Sequence, residues 1–556
     1  MIVWAFVCTP ITMIRAQDLG QLVKQKPFSL SGTVGIGIGT YTASGIPVRA
    51  RSFSWLISGS PVVSLYGISF PVGIVVSDQQ RNFTQPFNQY GASPKYKWIT
   101  AHAGWRSVTF SPYTLGGAVF LGGGVELNPG KLRLGFVYGR FNKAIDTDTS
   151  HNSNGFYQTP AYKRTGYAAK IGFGTEENHI DFIYLKAKDD TNSIRKIPVS
   201  YNITPAENAV LGFSMKYRLF KHIVFEADAA GSVYTRDLAS DTFSNEQLKE
   251  IKFLTRLVKF NASSQILTAG QASLGYEGNG YGLRVQYKRV DPNYQSMGAY
   301  YLETDVENYT VAPYFSLLKR RLTVNGSLGF QHDNVLKDKS FRSNKTIGSV
   351  SVAYNVQKFG INAQYGNYGI TQDRGLNPIV DTIRVARTNH NVNTMARLTL
   401  GDERLSHNLV LVGNYQTLVD LNKFTAGNSE TNSKTGNLSY QLGLLKQGLS
   451  LSAMYNYTVA DAPSVHTVIH GPSVGVDKQL LDSKLFLNTN WSYQLQSNNN
   501  VKAGHFISGS FTSSFRMSKR NAVNATLNYL QSVSDNVADS PSFREFRTNL
   551  TYAYTF

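Results

Sequence analysis

Counting back in twos from Phe556 sorts the end of the chain, FREFRTNLTYAYTF, into two faces. Phe556, Tyr554, Tyr552, Leu550 and Phe546 fall on one face, interrupted only by Thr548; Thr555, Ala553, Thr551, Asn549, Arg547 and Glu545 fall on the other. Side chains on a strand alternate between faces, so the pattern predicts a strand with one apolar and one mostly polar face, running to the last residue. The pattern recurs. In GLSLSAMYNYTV, Leu449, Leu451, Ala453, Tyr455, Tyr457 and Val459 oppose Ser450, Ser452, Met454, Asn456 and Thr458. The stretches KFGINAQYGNY, NAVNATLNYL and YGLRVQYKR divide in the same way.

The connections between these stretches alternate in length. Tight ones include 127–130, 277–280, 357–358, 401–404 and 518–521; long polar ones include 78–96, 143–161, 189–203, 235–262, 291–306, 370–390 and 531–541. Short turns at one end and long loops at the other predict an all-β, antiparallel up-and-down transmembrane barrel, its apolar face toward lipid and its polar face toward the lumen. A bilayer core holds no water, so every backbone group must pair within the protein, and a closed barrel does this without a free edge. The last strand is then expected to pair with the first. Counting hairpins gives about 24 strands, range 22–26, from near residue 28 to residue 556. The count leaves 97–114 outside the wall, because including it makes the total odd. A soluble propeller or β-helix would show a repeat of fixed period, and none is found.

Composition supports this reading. Charged residues make up 16% and mean hydropathy is −0.23, yet Tyr (32), Phe (31) and Gly (48) are abundant. Apolar residues are thus spread thinly, and no segment after the N-terminus approaches the roughly 20 continuous apolar residues of a membrane helix. The start, MIVWAFVCTPITMIRAQ, reads as a signal peptide over residues 1–16, with the barrel over 17–556. The single cysteine, Cys8, lies within it, which leaves no disulfide, thiol nucleophile or cysteine metal site in the remainder.

The terminal Phe556, with Tyr554 and Tyr552, resembles the C-terminal assembly signal of Gram-negative outer-membrane barrels. The resemblance implies outer-membrane localisation and reading of these three residues by the barrel-assembly machinery. Residues 65–143, from YGISFPVGIVV to LGFVYGRF, are similar to a stretch of large porin-like barrels of unassigned function from Bacteroidota. That likeness suggests a lineage and implies no activity.

Extending the alternation puts Arg133, Lys170, Lys216, Arg218, Arg284, Lys288, Arg397 and Arg516 on the lumenal face, with Asp181, Glu226 and Asp228 as acids. The formal net charge is +19. Basic groups along a water-filled pore favour anions; the alternatives are pairing with lumenal acids or contact with acidic lipopolysaccharide. Within 80–117, Trp98, His102, Trp105, Arg106 and Tyr113 cluster in an aromatic, basic segment. It is expected to be an extracellular loop folding inward as a constriction, the alternative being an ordinary wall strand.

In the 235–262 loop, SNEQLKEIKFLTRLVKF has a capping-box start and helical apolar spacing, predicting a short amphipathic helix packed on its own barrel mouth. Gly35-Ile36-Gly37-Ile38-Gly39 is a strand rather than a dinucleotide loop, its glycines leaving lumenal space. His466 and His470 share a strand face without an acidic residue to complete a metal site. No nucleophile elbow, cofactor motif or basic nucleic-acid-binding helix is present in the sequence. Strands begin near residue 28, so no plug domain is expected ahead of the barrel.

The expected function is therefore a non-enzymatic, cofactor-free, porin-like channel for small anionic solutes. The alternative is an accessory or structural barrel subunit of an envelope secretion or assembly complex. Expected partners are outer-membrane lipids and lipopolysaccharide, the assembly machinery, and proteins at extracellular loops or periplasmic turns, without nucleic acid.

Overall fold

The computed structural model describes residues 26–66, 68–78, 88–146, 160–194, 203–243, 258–374, 384–535 and 541–556. They form one antiparallel sheet of 29 strand segments closed on itself. Three wall strands are each split into two segments, so the wall has 26 strands among the described residues. The split strands are Phe28–Ser31 with Thr33–Ser44, Phe53–Gly59 with Val62–Leu65, and Gln89–Ala92 with Lys95–Tyr96. Pro61 and Pro94 sit in two of the breaks, where a residue without an N–H interrupts the ladder. Gly32 sits in the third at φ +102°, where a Cβ would lie 2.4 Å from the Ser60 carbonyl oxygen.

The ring closes between the last strand, Phe543–Thr555, and Thr33–Ser44, with Thr33 opposite Thr555, Ile38 opposite Leu550 and Ser44 opposite Arg544. The Phe556 N–H then donates to the Gly32 carbonyl at 3.0 Å. The strand count corrects one expectation. Ile99–Thr109 belongs to the wall, paired with Gly116–Leu127 from Ile99↔Leu127 to Thr109↔Gly116. Parity survives because 89–96, expected to be loop, supplies a second additional strand.

Alternation sorts the faces as expected. Phe136, Ile171, Phe182, Leu211, Leu274 and Leu411 point outward and are exposed, a belt of apolar surface that suits lipid rather than water. Tyr–His contacts stud the outer face, Tyr365–His390 at 2.9 Å, Tyr455–His470 at 2.8 Å and Tyr440–His407 at 2.7 Å. His470 is thus engaged on the outside of the barrel, while His466 meets Asp461 at 2.5 Å.

Inside, the barrel is lopsided. Among the described residues, every buried apolar residue apart from Ala386 lies between Tyr41 and Val306. The largest cluster joins lumen-facing Val137, Phe141, Leu185 and Val210 to Tyr113, Leu115 and Tyr294 from two connections. One side of the lumen is packed; the other keeps a polar lining.

Candidate functional site: the lumen

Two connections from the long-loop end fold inward and lock together. Residues 110–115 form a tight turn, with the Phe110 N–H donating to the Leu115 carbonyl at 2.8 Å. The wall makes room for it with glycines. A Cβ at Gly135 would lie 2.7 Å from Phe110 Cζ, and one at Gly212 would lie 2.2 Å from Thr114 Cγ2.

Residues 291–305 lie against this turn. Tyr294 donates its hydroxyl to the Tyr113 carbonyl at 2.6 Å, Ser296 donates to the Thr114 carbonyl, and Gly116 N–H donates to the Gly298 carbonyl at 2.8 Å. The wall holds the same segment through Met297 N–H to Asn208 Oδ1 at 3.0 Å and Ser232 Oγ to the Gln295 carbonyl at 2.6 Å. The rings of Tyr113 and Tyr294 meet edge to face, centroids 6.3 Å apart. Burial, with Asp228 nearby, pushes the Tyr113 phenol up to about 12. Burial also raises Tyr294. Both phenols stay neutral near pH 7, so Tyr294 remains a donor.

Six of the eight lumenal basic candidates face a carboxylate. Arg133 holds Asp181 through two bonds, at 2.8 and 2.9 Å. Lys170 lies 3.3 Å from Glu126, Lys216 and Arg284 each 2.9 Å from Glu226, Arg218 2.7 Å from Glu277, and Lys288 3.8 Å from Glu303. Gly172 makes room for the first pair, because a Cβ there would lie 1.9 Å from Asp181 Oδ1. Arg397 and Arg516 make no ion pair with a described carboxylate. A paired cation projects little net field, so any anion preference falls to those two, to Arg106, which among the described residues bonds only the Pro71 carbonyl, and to Arg547, which lies over the Tyr41 ring at 5.5 Å.

The constriction candidates separate. Tyr113 is in the inward turn. His102 and Arg106 are on the lumenal face of a wall strand, His102 between Ser93 (2.9 Å) and Glu126 (3.2 Å), and Arg106 donating to the Pro71 carbonyl at 3.3 Å. Trp105 alternates to the opposite face, with the Arg140 guanidinium over its ring at 5.7 Å. Trp98 sits in the short turn between Lys95–Tyr96 and Ile99–Thr109, its carbonyl accepting from Asn128 N–H at 2.8 Å. Both tryptophans therefore lie away from the constriction expected of them. Sequence reasoning missed its second half, Tyr294, Ser296 and Gly298; the cue was an aromatic and small-residue run, NYQSMGAYY, within a presumed polar loop.

Of the other expectations, the signal segment 1–16 and most of the 244–260 helix lie outside the described residues. Val258, the last apolar position of the expected helix, packs with Ala209 and Val233 on the outer wall. Tyr552 donates to Asn521 Oδ1 at 2.5 Å, and Tyr554 meets Phe556 edge to face at 5.0 Å.

The fold and lumen define a class: a closed 26-stranded transmembrane β-barrel with an internally braced lumen. No protein-family model and no curated protein matches the chain. Among solved structures it is similar to the copper transporter OprC, at TM-score 0.40 and 8% identity over 96% of this chain and 81% of that one. It is similar to the P pilus usher (PapC) translocation pore at TM-score 0.38 and 9% identity, over 95% and 99%. It is similar to OccAB2 of Acinetobacter baumannii at TM-score 0.31 and 9% identity, over 64% and 92%. Likenesses this distant carry no argument about function.

Proposed function

We propose that the protein is an outer-membrane channel of the porin kind, passing small hydrophilic solutes. The observation that carries this is the lopsided lumen. The inward segments pack against one side of the wall, while the lumenal faces from Leu322–His332 onward present Asn, Gln, Ser and Thr. A lumen with one polar side is a hydrated path, and the brace opposite narrows it. Because most lumenal cations are paired, the anion preference is modest and rests on Arg397 and Arg516, with Arg106 and Arg547.

The test is solute uptake into liposomes carrying the refolded protein, with neutral solutes of graded size. Uptake that falls with solute size supports a narrowed channel. Liposomes that stay tight to the smallest solute, although the protein is folded and inserted, contradict it.

A further inference from the structure

The polar side of the lumen is not uniform. On the neighbouring strands Phe359–Arg374, Ala386–Gly401 and Leu405–Asp420, alternation places Tyr368, Asn389, Asn391, Asn393 and Asn414 on the lumenal face, opposite to lipid-facing Tyr365. Tyr368 stands directly across from Asn389, and Asn393 directly across from Asn414. The amides form a small lattice. Asn393 donates to Asn391 Oδ1 at 3.0 Å, and Asn414 donates to Asn391 Oδ1 at 3.3 Å and to Asn393 Oδ1 at 2.5 Å. Asn389 Oδ1 is buried without a hydrogen-bond partner, so its free acceptor is reached only if the side chain turns. Tyr368 is 43% exposed, a bare ring on the water side of the wall beside these amides.

Each amide carries two donors and an acceptor with two lone pairs, so the lattice leaves capacity of both kinds unused. A polyol needs donors and acceptors together; an ion gains nothing from such a surface over water. A bare tyrosine face offers the apolar contact that the C–H face of a sugar ring can use. Of the lumenal charges on these strands, Arg387 is neutralised by Asp420 at 3.1 Å, while Arg397, four residues beyond Asn393, makes no ion pair with a described carboxylate.

We propose that this patch is a subsite for a neutral polyhydroxylated solute, a sugar ring lying on Tyr368 with its hydroxyls shared among the asparagine amides. The proposal rests on the channel reading and names its solute class.

The test records single-channel current through the full-length protein in a planar bilayer, with maltohexaose added to one side. The expected result is brief, concentration-dependent interruptions of the current. Tyr368→Ala, or Asn391→Ala with Asn414→Ala, shortens them about tenfold, the effect of losing roughly 1.4 kcal/mol of contact. Tyr365→Ala, on the lipid face, leaves them as they were. A galacturonate hexamer of equal length, tested with Arg397→Gln so that the neighbouring free cation does not hold it, is expected to cause no such interruptions. Absence of interruptions with maltohexaose, equal residence of the charged hexamer, or indifference to Tyr368→Ala overturns the subsite. Absence of current altogether overturns the channel reading instead. Titration calorimetry of maltohexaose into the detergent-solubilised protein then decides the subsite: heat lost on Tyr368→Ala supports it, and no heat overturns it.

Discussion

The hydroxyl of Tyr294 donates a 2.6 Å hydrogen bond to the main-chain carbonyl of Tyr113, 181 residues away. Two connections that sequence separates are thereby joined inside the barrel, seated on Gly135 and Gly212. Gly212→Leu puts a side chain where Thr114 sits and is expected to displace the turn. The barrel, held by its ladder, should still form, with a larger single-channel conductance and a higher solute size limit. Tyr294→Phe removes only the hydrogen bond, costs about 1 kcal/mol locally and is expected to change current noise more than mean conductance. Equal conductance in wild type and Gly212→Leu would show that the brace does not narrow the path.

Arg133 and Asp181 neutralise each other across the lumenal wall, with side chains 16% and 3% exposed. Asp181→Asn leaves the arginine without its counter-charge. It is expected to lower stability by about 3 kcal/mol and to move the reversal potential toward anions. Replacing both, with Arg133→Gln added, should recover part of the stability and return selectivity to the wild-type value. Chemical denaturation together with a salt-gradient recording separates the two effects.

Outside the membrane span, Asp305 is held by Lys339 and by the Val335 N–H. Burial acts to raise the Asp305 carboxyl, but these hydrogen bonds outweigh it and leave it below the usual aspartate range. The bond to Asp305 raises Lys339 above the usual lysine range. A depressed acid stabilises above its unfolded value and loses that contribution as pH falls through its folded one. A raised lysine stabilises below its unfolded value and loses that contribution as pH rises through its folded one. The 333–340 loop should therefore be fully protected near neutral pH. It should open only below the ordinary aspartate range or above the ordinary lysine range. Peptide-resolved hydrogen exchange across pH reads this directly, and Asp305→Asn should abolish the acid transition.

Phe556 contributes one backbone bond to Gly32 and one ring contact with Tyr554. Removing it costs the finished barrel little. If the terminal aromatics are an assembly signal, deletion should leave refolding in detergent nearly unchanged while sharply lowering folded protein in the outer membrane. Equal loss in both settings would assign Phe556 a structural role only.

The alternation of apolar and polar residues made most of this fold legible. Strands such as Leu449–Ala462 and Asn521–Ser534 are where the faces place them, and closure of the ring was readable from the last strand. What stayed hidden followed from local chemistry. QYGASPKY carries Gly91 and Pro94, which erase the period-two pattern although the backbone pairs in the wall. The 97–114 segment looked surplus because including it made the strand count odd, when Ile99–Thr109 is a wall strand and 89–96 supplies the strand that restores parity. Lumenal charge was readable as position but not as net field, since Arg133 and Asp181 are 48 residues apart and only register brings them together. The brace was half visible, because Tyr113 lies in an aromatic segment while Tyr294 sits in a stretch that reads as loop.

Single-channel recording of the refolded, full-length protein in a planar bilayer under a salt gradient decides whether the lumen conducts. Stable current steps are expected, with a reversal potential only modestly displaced toward anions and reduced by Arg397→Gln with Arg516→Gln. Folded, inserted protein that carries no current would contradict the channel and mark the lumen as sealed.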